Sequence, residues 1–87
     1  MLHSMSRKPK NETPVYNRLE EIRERYGLTR AELAYAADVH YQTIGYIERG
    51  EYSPSLSLAL TIAQVLQTDV HQIFALNPFT NRKATTR

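Results

Sequence analysis

The chain has 87 residues, of which 23% are charged, with no cysteine, no tryptophan and a formal net charge of +2. That length bounds it to one domain with a modest core, and the lack of cysteine excludes disulfide staples and thiolate metal sites. The first ten residues hold no apolar signal core, and no later run approaches the ~20 apolar residues of a membrane span, so a cytoplasmic protein without a membrane partner is expected.

Residues 1–14 are polar, contain Pro9 and Pro14 and show no period. A disordered basic arm is expected there, with Met5 as an alternative start. From Val15 the spacing becomes helical: Val15, Leu19, Ile22 and Tyr26 fall on one stripe, and Gly27 suits the left-handed position that ends a helix. Arg23 borders that stripe, and Glu48 occupies the same marginal position beside Ile44 and Ile47 on a later helix. A charge at the edge of an apolar face needs a partner, so these two are expected to pair.

The second predicted helix covers residues 30–37. Thr29 and Glu32 have the spacing of a capping box, flanked by Leu28 and Leu33 as a hydrophobic staple. Its apolar face, Leu33, Ala34 and Ala37, is made largely of small side chains that let another helix cross closely. In the turn that follows, Asp38 is one of the few non-glycine residues that tolerate a left-handed backbone. A third helix is expected over about residues 41–48, capped by His40 and stapled by Val39 against Ile44. Two short helices joined by a tight turn read as a helix-turn-helix.

The open face of the third helix carries Tyr41, Gln42, Gly45, Tyr46 and Arg49. Glutamine can bond adenine N6 and N7 together in the major groove, tyrosine can reach a phosphate or pack on a thymine methyl, and glycine admits a close backbone. The bland alternative is a solvated face with a glycine that costs about 1 kcal/mol. The capped helix before it favours the DNA reading.

Beyond Gly50, residues 51–53 lead to Pro54, which fits the first position of a helix with Ser53 or Ser55 as cap. This fourth helix is expected to run through Leu66. Its polar residues Ser57, Thr61 and Gln64 occupy a narrow arc, so its apolar stripe is wider than a small core needs. Leu58 and Val65 are expected to be left over for a second copy of the chain. The fifth helix is short: Asp69 caps it, Gln72 takes the third position, and Val70, Ile73 and Phe74 close the core. The folded domain is thus expected over residues 15–76, with 77–87 as a flexible basic tail.

Charge is unevenly laid out. Residues 15–76 carry five basic and eight acidic side chains, while both flanks are basic. Counterion release on DNA favours a positive body, so two readings stand. In one, well-placed arginines and the flanks suffice for DNA; in the other, the scaffold is a protein-interaction module, antitoxin-like or a regulator-partner domain, with little DNA affinity. A steep fall of DNA affinity with salt marks the first and indifference to DNA the second. His3, His40 and His71 share no ligand spacing, and no nucleophile, base and orienter can be assembled, so no metal, cofactor or enzymatic activity is expected.

Taken in order, Ile22-Arg23, Gly27-Leu28-Thr29, Glu32-Leu33-Ala34, Ile44, Ile47-Glu48-Arg49-Gly50, Pro54-Ser55-Leu56, Ile62-Ala63, Leu66 and Phe74 resemble the Cro/CI-type (XRE-like) helix-turn-helix family of bacterial and phage transcriptional regulators. The resemblance implies an all-α, five-helix, lambda-repressor-like domain whose third helix enters the major groove. It implies a sequence-specific regulator, in the first instance a repressor, bound as a homodimer to a palindromic operator in double-stranded DNA, with no small-molecule effector. It also implies that Arg23 and Glu48 form the family's buried ion pair, and that DNA contacts fall to Arg30, His40, Tyr41, Gln42, Thr43, Tyr46, Arg49 and Tyr52. Three departures stand out. Arg30 replaces the usual Gln, putting a phosphate-binding charge where the family has an amide, and Asp38 and Gln67 replace usual glycines at some cost in backbone strain.

Overall fold

The computed structural model describes residues 14–80. The expected basic arm, apart from Pro14, and the tail from residue 81 onward lie outside the described residues. In chain order the elements are β1 (Tyr16–Asn17), α1 (Leu19–Tyr26), α2 (Arg30–Ala37), α3 (Tyr41–Glu48), α4 (Leu56–Val65), α5 (Val70–Ile73) and β2 (Phe74–Ala75). Five helices are present as expected, joined by one small ribbon in which Tyr16 pairs with Ala75 and Asn17 with Phe74, antiparallel.

That ribbon corrects the start of the first helix, which begins at Leu19 and not at Val15. Asn17 is the reason. Its Oδ1 accepts the Leu19 N–H at 2.9 Å, its Nδ2 donates to the Ile47 carbonyl at 2.9 Å, and the neighbouring Arg18 N–H donates to the Ile73 carbonyl at 3.0 Å. The same extended segment draws Phe74 out of α5 and into β2. Tyr26, expected on the buried stripe, is 45% exposed; the buried residues of α1 are Leu19, Ile22 and Arg23.

Local chemistry sets the other boundaries. Gly27 closes α1 at φ 91°, a left-handed conformation that only glycine adopts without strain. At α2 the capping box is complete: the Glu32 N–H donates to Thr29 Oγ1 at 3.0 Å and the Thr29 N–H to Glu32 Oε1 at 2.9 Å. Asp38 ends α2 at φ 60°. His40 caps α3 through Nδ1, which accepts the Gln42 N–H at 3.1 Å. Ser55 is the cap of α4, its Oγ accepting the Leu58 N–H at 3.1 Å, which places Pro54 before the cap and not at the first helical position. Asp69 makes no side-chain cap at α5; Gln72 instead turns its Oε1 to Arg18 Nη2 at 3.0 Å.

Leu19, Leu33, Ile44, Ile47, Ile62 and Ile73 are fully buried and come from every helix. Each contributes about 1.5–3 kcal/mol of hydrophobic stabilisation, and the small Ala34 and Ala37 let α3 cross α2 closely. On α4 the core arc is Ala59, Ile62, Ala63 and Leu66. At 100° per residue, Leu58 and Val65 border this arc on one side and Leu56 and Leu60 on the other. Leu58 and Val65, expected to be left over for a second chain, pack half-buried against their own core, while Leu56 is 73% and Leu60 48% exposed. The described part of the tail is not free, since the Arg18 guanidinium lies 4.6 Å from the Phe79 ring centroid. Among the described residues no helix is long and apolar enough to cross a membrane.

Candidate nucleic-acid interface

Glu48 is the node that fixes the helix-turn-helix to the rest of the domain. Its side chain is 1% exposed, and its Oε2 accepts from Nε of Arg23, itself 8% exposed, at 2.6 Å. Arg23 also donates Nη1 to the Leu28 carbonyl at 2.9 Å, so both charges are answered by more than one bond. The expected pair is therefore present, and it ties α1 to the end of α3. A second arm was not apparent from the sequence: Arg30 Nε donates to Glu48 Oε1 at 2.8 Å. The hydrogen bond and charge of Glu48 hold the Arg30 guanidinium above its already high ordinary range. Arg30 thus stands at the start of α2 as an oriented fork, its charge already half answered. Among the described residues no buried side-chain polar atom lacks a hydrogen-bond partner.

One shallow cleft on the outer side of α3 brings together Arg30, Tyr41, Gln42, Gly45, Tyr46 and Arg49. Tyr41, Gln42, Tyr46 and Arg49 are exposed, and the Arg49 guanidinium lies 5.3 Å from the Tyr46 ring centroid. His40 sits at the N-terminal edge of this surface, stacked on Tyr41 at 5.2 Å between centroids. Thr43 is half-buried on the flank of α3. Tyr52 is exposed in the following loop and stands apart from the cleft, beside Ser53, Pro54 and Phe74. The carboxylate of Glu51, absent from the expected set, pairs with Arg49 Nε at 3.3 Å. Gly45 is buried although it lies in the middle of this outer face, because the side chains of Arg30 and Arg49 cover it. What comes close at Gly45 is therefore arginine, a contact that residue type alone does not announce.

Among the described residues no group of three or more His, Cys, Asp or Glu side chains is placed to hold a metal ion. The surface has hydrogen-bonding forks and aromatic rings, the chemistry of base edges and phosphates.

These elements define a helix-turn-helix domain of the Cro/CI (XRE-like) type. The helix-turn-helix family model matches residues 19–73, and the chain belongs to that family. An HTH-type transcriptional regulator of Archaeoglobus fulgidus, itself uncharacterized, is 42% identical over 57 residues, which are 66% of this chain and 81% of that one. A regulator of Methanothermobacter thermautotrophicus is 45% identical over 60 residues, 68% of this chain and 87% of its own. YgzD of Bacillus subtilis is 37% identical over 60 residues, 69% and 91% of the two chains. Among solved structures, the restriction-modification controller protein C.AhdI from Aeromonas hydrophila superposes with a TM-score of 0.61 at 31% identity, covering 63% of this chain and 83% of that one.

Proposed function

We propose that this chain is a sequence-specific transcriptional regulator that inserts α3 into the major groove of double-stranded DNA and acts as a repressor by occupying its operator. The observation that carries the reading is the exposed face of α3. Gln42, a bidentate donor and acceptor, is flanked there by Tyr41 and Tyr46 and bracketed by Arg30 and Arg49 in one cleft. Capping, staple and the Glu48 node hold that face on a rigid scaffold, the condition for reading bases by geometry. The relatives' designation as HTH-type transcriptional regulators supports the same class.

The operator is read as palindromic and the bound species as a homodimer. Support comes from the exposed apolar flank of α4, where Leu56 and Leu60 lie beside a groove continuing to Val70, Phe74 and Leu76. Burying that flank between two copies presents two α3 helices at once, and the second half-site then binds at high effective concentration. Titrating duplex binding with salt tests the reading. A steep, log-linear fall in affinity is expected; indifference to DNA at every salt concentration would instead favour a protein-interaction module on the same scaffold.

A further inference from the structure

Gly45 occupies the centre of α3, where glycine is the poorest helix former after proline. A Cβ built at this position would meet Arg49 Nη1 at 3.2 Å and Arg30 Nη1 at 3.7 Å. The two terminal nitrogens therefore approach a common point directly over the helix backbone. Each arginine is held from behind by its Nε, Arg30 by Glu48 at 2.8 Å and Arg49 by Glu51 at 3.3 Å. Those carboxylates occupy one edge of each guanidinium and leave terminal N–H donors for something else. With each guanidinium paired to a carboxylate on its Nε edge only, an anion between the two free ends is attracted by both, and guanidinium forks match the oxygens of a phosphate. The cleft has a volume of about 150 Å³, room for roughly five waters at their share of liquid volume and so for one tetrahedral anion.

We propose that Arg30 and Arg49, converging over Gly45 and steadied by Glu48 and Glu51, form a single site for one phosphate group. The proposed DNA-binding function supplies the phosphate's source, a backbone phosphodiester beside the groove that α3 enters; the site itself rests on the arginine geometry. Gly45 is the residue that opens it. Alanine would suit the helix better, but its methyl group would stand 3.2 Å from Arg49 Nη1, so that the guanidinium must shift by a few tenths of an ångström from the common point.

The test has two arms on the full chain. In the first, ¹⁵N NMR follows the Gly45 amide and the Nε–H groups of Arg30 and Arg49 during titration with inorganic phosphate at constant ionic strength, with chloride as control. The three signals should saturate together, and Gly45→Ala should shift saturation to higher phosphate concentration while melting above the wild type. In the second arm, duplex binding is measured across salt for Arg30→Ala, Arg49→Ala and the double variant. Each single substitution should lower the salt slope by about one unit per subunit, and the double variant should lower it no further. Absence of a shared phosphate response, or slope reductions that add, would overturn the site. So would an Arg30→Ala loss confined to one base pair, which would make Arg30 a guanine reader. Phosphate binding without duplex binding would uphold the site and overturn the DNA reading instead.

Discussion

Replacing Glu48 with alanine removes the one carboxylate that answers both Arg23 and Arg30. Arg23 is then left with 8% of its side chain exposed, one hydrogen bond, from Nη1 to the Leu28 carbonyl at 2.9 Å, and a long 3.9 Å ion pair with the exposed Glu24. Breaking a buried pair from one side costs about 3–5 kcal/mol, and the surviving Leu28 bond puts this case near 3 kcal/mol. The Arg30 arm adds less, because 40% of that side chain is already in water. At about 4–8 °C per kcal/mol for a domain of this size, the melting midpoint should fall by roughly 12–24 °C. Thermal unfolding by circular dichroism, paired with urea titration to check that the m-value is unchanged, measures it. Arg30→Ala should shift the midpoint far less than Glu48→Ala. The double variant Arg23→Met with Glu48→Leu should recover most of the loss, since apolar replacement of a buried pair is often neutral. A Glu48→Ala midpoint within about 2 °C of wild type would refute the reasoning.

Gln67 holds φ 53° in the turn after α4, so Gln67→Gly should relieve left-handed strain and raise stability by about 0.5–1 kcal/mol in urea unfolding; a loss would mean that the turn is not strained. Leu60→Asp, on the exposed flank of α4, should give a folded monomer with weakened operator binding by sedimentation and duplex titration, whereas Leu58→Asp should destabilise the fold itself. A Leu60→Asp protein that remains dimeric would move the interface elsewhere.

Where structure follows from neighbours in sequence, the chain was legible. Thr29 and Glu32 satisfy backbone donors within one turn, and Gly27 and Asp38 adopt the left-handed conformations their side chains permit. The bounds of α2 and α3 follow from those signals, and so does the pairing of Arg23 with Glu48, since each charge borders an apolar stripe. Contacts between distant segments were not legible. A two-residue strand has no period, and Tyr16 meets Ala75 only because the domain closes on itself. The width of the apolar arc on α4 was plain, but how much of each flank the rest of the domain would cover depended on the packed fold, which leaves Leu56 and Leu60 more exposed than Leu58 and Val65. At the candidate site, Gln42 and the tyrosines could be singled out by residue type. The grip of Glu48 on Arg30 and the crossing of two arginines over Gly45 needed the crossing of α2 and α3 to bring them together.

The central claim, that α3 reads bases through Gln42, is tested most directly by selecting bound duplexes from a random pool with wild type and Gln42→Ala in parallel. Wild type should enrich a two-fold symmetric site. The variant should enrich the same site with discrimination flattened at one base pair of each half, at a cost of about 1–3 kcal/mol on the preferred sequence. Identical preferences in the two selections, or no enriched sequence in either, would contradict it.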